Sequence, residues 1–165
     1  MSKLVKSLGG VVLVCGCVFS VFGQDSGASL LKKWYVTGNE GATVIQEDGV
    51  IACECKTEKD SSGVKQGVEL NQKEAKNIEF SAESKAENVS GDVDRFNYSV
   101  YLDIEHSDGS KIYGITAPFK TGTHDWEKAS FSYTPGKPIK SLSYYLLLRN
   151  KTGKVWFKNA VLIQK

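Results

Sequence analysis

The nine residues from Asn97 to Glu105, NYSVYLDIE, constrain the fold more than any other stretch of the chain. Tyr98, Val100, Leu102 and Ile104 alternate with Ser99, Tyr101, Asp103 and Glu105, a strict period of two. A helix would spread these apolar residues around its circumference, whereas a strand gathers them on one face. The stretch therefore reads as a β-strand with one greasy and one wet side. The rest of the C-terminal half repeats the style. Lys111 to Ala117, Trp126 to Tyr133, Ile139 to Arg149 and Lys154 to Ile163 are runs of strand length, separated by Asp108-Gly109, the loop Lys120 to Asp125, Pro135-Gly136-Lys137-Pro138 and Lys151-Thr152-Gly153.

Upstream the pattern is weaker. Lys32 to Val36 reads as a first strand or a covering segment. Ala42 to Gln46 and Val50 to Lys56 flank Glu47-Asp48-Gly49, a hairpin whose Asp-Gly suits the positive φ of a primed turn. Thr57 to Lys65 reads as polar loop, Gly67 to Leu70 as a short strand and Lys76 to Ser84 as a longer one. Lys85 to Asp94, KAENVSGDVD, carries few apolar residues and reads as loop. About nine strands without helical periodicity give an all-β, antiparallel β-sandwich of jelly-roll type, with a closed barrel as the structural alternative.

Residues 1–23 stand apart. Lys3 and Lys6 precede an apolar run from Gly9 to Phe22 and then Gly23, the order of a cleavable secretory signal, which leaves 24–165 as one β-sandwich domain. The expected destination is secreted, periplasmic or cell-surface; a lipoprotein anchored through Cys17 is the second choice. The run is too short for a stable membrane-spanning helix, so no transmembrane character is expected. Without Lys3 and Lys6 the 21 basic residues become 19, equal to the 19 acidic ones. That neutrality speaks against nucleic acid as a partner, which would call for clustered Lys and Arg. Cys53 and Cys55 share a strand face, are poorly placed to bridge, and lack further metal-ligating neighbours, so they read as small apolar fillers.

Several segments carry a family likeness: Ser84-Lys85-Ala86-Glu87, Tyr98 to Ile104, Asp108-Gly109, Gly122-Thr123-His124-Asp125-Trp126, Pro138 to Ser141, Tyr145 to Arg149, and Gly153 to Asn159. Over roughly residues 66–165 the chain resembles the jelly-roll carbohydrate-binding modules of the galactose-binding-domain-like superfamily, of bacterial secreted type. The resemblance implies carbohydrate as partner and, in many members, a structural calcium held by acidic groups at the two chain ends. Here the opening is Ser29-Leu30-Leu31-Lys32-Lys33-Trp34 and the closing motif Phe157-Lys158-Asn159, which leaves Asn159 as the one carried-over candidate ligand. No other cofactor is expected.

A sugar site needs flat apolar surfaces for the ring and forked polar groups for the hydroxyls. Tyr101, Asp103, Tyr145, Arg149 and Trp156 fall on the wet parity of long strands and are expected to share one surface: Tyr101 and Trp156 stacking, Asp103 accepting, Arg149 donating. The competing expectation has Arg149 pairing with Asp103 while Tyr145 and Trp156 cover the sheet. Trp126 is expected at a sandwich edge, and His106 and His124 in solvated positions. The function read from this pattern is non-catalytic carbohydrate binding. A protein-binding structural or adhesive sandwich is the first alternative. A weak glycosidase or lyase built on Asp103 with Glu105 or Glu83 is the second.

Overall fold

The computed structural model describes residues 29–165; the expected signal segment and Cys17 lie outside them. Ten strands follow one another: β1 (Tyr35–Gly38), β2 (Ala42–Ile45), β3 (Ile51–Cys55), β4 (Ser61–Glu69), β5 (Ile78–Val89), β6 (Tyr98–His106), β7 (Lys111–Pro118), β8 (Gly122–Tyr133), β9 (Ile139–Arg149) and β10 (Gly153–Gln164). All their pairings are antiparallel, in two five-stranded sheets ordered β1-β4-β9-β6-β7 and β2-β3-β10-β5-β8. The expected all-β antiparallel sandwich is what the chain forms.

Period two sets the core. Tyr98, Val100 and Leu102 are fully buried and Ile104 is 1% exposed. Opposite them in register lie Leu148, Leu146, Tyr144 and Leu142 of β9, all buried. From the second sheet Ile51, Cys53, Phe80, Ala82, Ala86, Val155, Phe157 and Leu162 complete the interior. Two tyrosines cross the gap between the layers. The Tyr144 hydroxyl donates to the Ser81 carbonyl at 2.8 Å. Ser84 Oγ gives its proton to the Trp156 carbonyl at 2.9 Å, so the Tyr98 hydroxyl, 2.6 Å away, must donate to Ser84. These bonds satisfy polar groups that would otherwise be costly inside.

Two segments read as loop are strand. Thr57 to Lys65 gives way to the nine-residue β4, which begins at Ser61. Its inward positions include Ser62 and Gln66 beside Val64 and Val68, and this polarity hid the alternation. Each polar side chain has a partner: Ser62 Oγ donates to the Ala42 carbonyl at 2.6 Å, and Gln66 Oε1 accepts from the Lys32 amide at 2.9 Å. Likewise β5 runs on to Val89, because Ala86 and Val89, small and isolated as they are, are buried. Neither histidine is solvated. His106 ends β6 at 3% exposure, with Nδ1 3.4 Å from the Pro138 carbonyl. His124 lies on β8, stacked 6.2 Å from Tyr98, with Nε2 3.0 Å from the Lys120 carbonyl.

Cys53 and Cys55 are free and buried, as fillers should be. Burial pushes the Cys53 thiol up to about 11. It also takes the Cys55 thiol to about 12, helped by the nearby charge of Asp60. Thiolate is the reactive form, so both should resist a disulfide reagent at pH 8 in the native protein and react after denaturation in guanidinium. Peptide mapping of the labelled chain checks this, and rapid native labelling at either position would contradict such a closed core.

Candidate functional site

Cross-strand register lays the outer face of the first sheet out in rows. One row reads Tyr35, Lys65, Tyr145, Tyr101, Thr116 across β1, β4, β9, β6 and β7. The next reads Gly67, Ser143, Asp103, Tyr113 and the one beyond it Glu69, Ser141, Glu105, Lys111. On the other side of the tyrosine row stand Thr37, Gly63 and Leu147, and then Ser61 opposite Arg149. A groove of about 400 Å³ lies on this face, lined by Thr37, Asn39, Tyr101, Asp103, Tyr145 and Arg149 among others. A second hollow of about 190 Å³ adjoins it through Asp103 and continues past Tyr113 towards Lys111.

Four of the five expected residues meet here. The rings of Tyr101 and Tyr145 touch edge to face, with centroids 5.6 Å apart at 80°. Both are half-buried, so each presents ring surface to the groove. The Arg149 guanidinium lies 5.3 Å from the Tyr101 centroid, and its Nε donates to the Phe96 carbonyl at 3.0 Å. Nothing pairs Arg149 with Asp103 among the ion pairs of the described residues. The Tyr101 phenol is raised above its ordinary value, first by burial and then by the Asp103 carboxylate beside it. Tyr101 therefore keeps its proton at neutral pH and remains able to donate.

Trp156 is the exception. It belongs to β10, in the other sheet, facing Ala52 and Lys85 across the ladder with the ammonium groups of Lys154 and Lys85 5.0 and 5.6 Å from its ring. A shared surface requires β9 and β10 to lie in one sheet, but the chain changes sheet at the Lys151-Thr152-Gly153 turn. Trp126, on the edge strand β8 as expected, is covered by Lys158 at 3.9 Å. Glu83 likewise stands on β5 in the second sheet, so it cannot converge with Asp103. Glu105 shares the face of Asp103 but is held below its ordinary range by Lys140, at 2.8 Å, and by Lys111.

Two aromatic residues on this face escaped the sequence reading. Tyr113, 66% exposed, sits directly across from Asp103. Plain alternation along Lys111 to Ala117 would put it inside with Ile115 and Ala117. The register instead shifts between Leu102 and Asp103 of β6, where Gly114 is the extra residue of β7 at φ +76°. A glycine in mid-strand was the available signal. A Cβ there would come within 2.8 Å of the Phe96 ring and 3.7 Å of Tyr101. The bare backbone thus lets Phe96 lie beside the tyrosine pair, and its N–H points to Asp103 Oδ1 at 3.4 Å.

The closing motif is tied to β5 through Glu83. The Asn159 amide donates to Glu83 at 3.0 Å, and the Lys158 ammonium is 3.5 Å from the same carboxylate. Among the described residues no group of three or more His, Cys, Asp or Glu side chains converges as metal ligands would.

Comparison with solved structures defines the class at the level of fold. A CBM4 module aligns with a TM-score of 0.56 at 13% identity, over 80% of this chain and 86% of that one. The CBM22-1 xylan-binding domain of Paenibacillus barcinonensis Xyn10C aligns with a TM-score of 0.52 at 14% identity, over 79% and 85%. The enzymatically active domain of bacteriophage CBA120 tailspike protein 4 aligns with a TM-score of 0.58 at 8% identity, over 80% of this chain and 19% of that one. The chain therefore has the jelly-roll fold of carbohydrate-binding modules. No family model matches it. By sequence it is similar to the tRNA nuclease WapA of Bacillus subtilis strain 168, 30% identical over 152 residues, and to a WapA of Bacillus spizizenii, 29% identical over 152 residues. The matched region covers 86% of this chain and only 6% of the WapA polypeptides' length. Among the described residues no helix is long and apolar enough to cross a membrane.

Proposed function

We propose that this chain is a secreted, non-catalytic carbohydrate-binding module that holds a poly- or oligosaccharide across the outer face of its first sheet. The observation that carries the reading is the Tyr101–Tyr145 pair set in a groove between Arg149 and Asp103. Aromatic rings offer the apolar faces of a sugar a surface, while a guanidinium fork and a carboxylate supply donors and acceptors on either side. The groove runs on to Tyr113 on one flank, and the tyrosine row reaches Tyr35, 54% exposed, on the other. That length suits several consecutive sugar units better than a single terminal one. No metal has a part in this reading. The nuclease name belongs to polypeptides of which this chain matches a small fraction, and it supplies no role for the groove.

A glycan array with wild type, Tyr101→Ala and Trp156→Ala tests it. Wild type and Trp156→Ala should bind the same glycans, because Trp156 lies on the opposite sheet, while Tyr101→Ala should lose the signal. Equal signals from all three would remove the proposed site. Silence from all three would favour the protein-binding alternative.

A further inference from the structure

Lys151 is buried, at 6% exposure, in the turn between β9 and β10. Lysine is seldom buried this deeply unless its charge is matched. Here no carboxylate matches it: among the described residues its ammonium has no ion-pair partner. It donates instead to two backbone carbonyls, of Asp92 at 2.7 Å and Ser90 at 3.1 Å. Gly91 sits between those carbonyls, and a Cβ on it would lie 3.2 Å from the ammonium nitrogen. Two further bonds clamp the loop to the turn, from the Ser90 amide to the Thr152 carbonyl at 3.0 Å and from the Thr152 amide to Ser90 Oγ at 2.9 Å. Backbone carbonyls gathered around a desolvated positive charge are how a loop wraps a bound cation.

We infer that Lys151 is a tethered internal cation that shapes the loop between β5 and β6 and thereby, through the Phe96 carbonyl, positions Arg149 at the wall of the sugar groove. The loop leaves the carbonyl cradle at Asp92 and reaches Phe96 four residues later. There Arg149 takes it up again, through Nε to the Phe96 carbonyl at 3.0 Å and through its own amide to the Asn97 carbonyl at 2.9 Å. Lys151 and Arg149 thus hold the loop at two points from one short stretch of chain. Lys151 does not touch the groove and is a positioning residue. The positioning half of the inference rests on the carbohydrate reading; the cradle does not.

Arg95, exposed within this loop, gives a local readout. Limited trypsin digestion followed by mass spectrometry should show cleavage after Arg95 rising roughly tenfold or more in Lys151→Met, since cleavage tracks the opened population. Cleavage after Lys73, at the other end of the sandwich, should not change. In Lys151→Ala, n-propylammonium should slow the Arg95 cut again, whereas tetramethylammonium, with equal charge and no N–H, should not. Glycan affinity should fall severalfold in Lys151→Met. An unchanged Arg95 rate, or equal rescue by both ammonium ions, would overturn the cradle. A labile Arg95 with unaltered glycan affinity would overturn the positioning role. If Lys151→Ala fails to fold, Lys151→Gln, which keeps N–H donors on a shorter uncharged side chain, replaces it: Arg95 cleavage should stay raised above wild type, and a wild-type rate would overturn the cradle. Wild type that binds no glycan would sink the carbohydrate reading and its positioning corollary, while the protease arms still decide the cradle.

Discussion

Tyr144→Ala is expected to destabilise the protein by about 3–5 kcal/mol, the cost of emptying a large aromatic site in a packed core. The residue is fully buried on β9, with Trp34 5.7 Å away edge-on and Phe80 6.5 Å away in the other sheet. Its removal strips the interior of a side chain that reaches both the other sheet, at Phe80 and Ser81, and Trp34 of the N-terminal segment. For a domain of this size the loss should lower the melting temperature by roughly 10–20 °C. Tyr144→Phe keeps the ring and loses only the bond to the Ser81 carbonyl, so it should cost about 1–3 kcal/mol. Chemical denaturation at neutral pH separates the two.

The same residue makes alkaline stability readable. Burial raises the phenols of Tyr144 and Tyr98 well above the ordinary value of 10.0; for Tyr98 the Ser84 bond offsets part of the rise. In the folded state each keeps a proton that the unfolded chain releases above that value. Their contribution is therefore complete below pH 10.0 and is lost as the pH climbs beyond it. The double variant Tyr98→Phe/Tyr144→Phe should start less stable at pH 8 and lose less than wild type between pH 8 and pH 11. A parallel decline in both proteins would show that other groups set the alkaline limit.

Parity in the sequence disclosed which side chains of the long strands point inward, but not the sheet to which each strand belongs. Alternation needs only the residue's own neighbours, so Tyr98 to Ile104 and Leu142 to Leu148 could be assigned inside and Tyr101 and Tyr145 outside. Sheet membership depends on how a turn steers the chain, and the Lys151-Thr152-Gly153 turn sends β10 to the opposite layer. Trp156 left the site for that reason alone. Tyr113 was missed for a different one, since the bulge at Gly114 reverses parity within a single strand. The strand halves read as loop, from Ser61 to Lys65 and from Lys85 to Val89, were hidden by polar or small inward residues whose partners lie far along the chain. Non-local hydrogen bonds such as that of Gln66 to Lys32 leave no periodic trace.

Arg149 offers the sharper test of how the groove discriminates. Its guanidinium is tied through Nε to the Phe96 carbonyl and lies 5.3 Å from the Tyr101 centroid, on the lining of the groove. Lysine would preserve the charge but bring neither the planar fork nor the Nε tether, so Arg149→Lys is expected to weaken glycan binding about tenfold, or about 1.4 kcal/mol. Arg149→Ala should lose more, roughly 2 kcal/mol or beyond, because Tyr101 also loses the flat group that orients it. Isothermal titration against the best array ligand measures both. If lysine restored full affinity, the residue would be acting as a point charge rather than as a fork. Asp103 bears on the same comparison from the opposite wall, since Asp103→Asn removes an acceptor while keeping its size. A loss there comparable to that of Arg149→Lys would mean that ligand hydroxyls are gripped from both sides of the tyrosine pair.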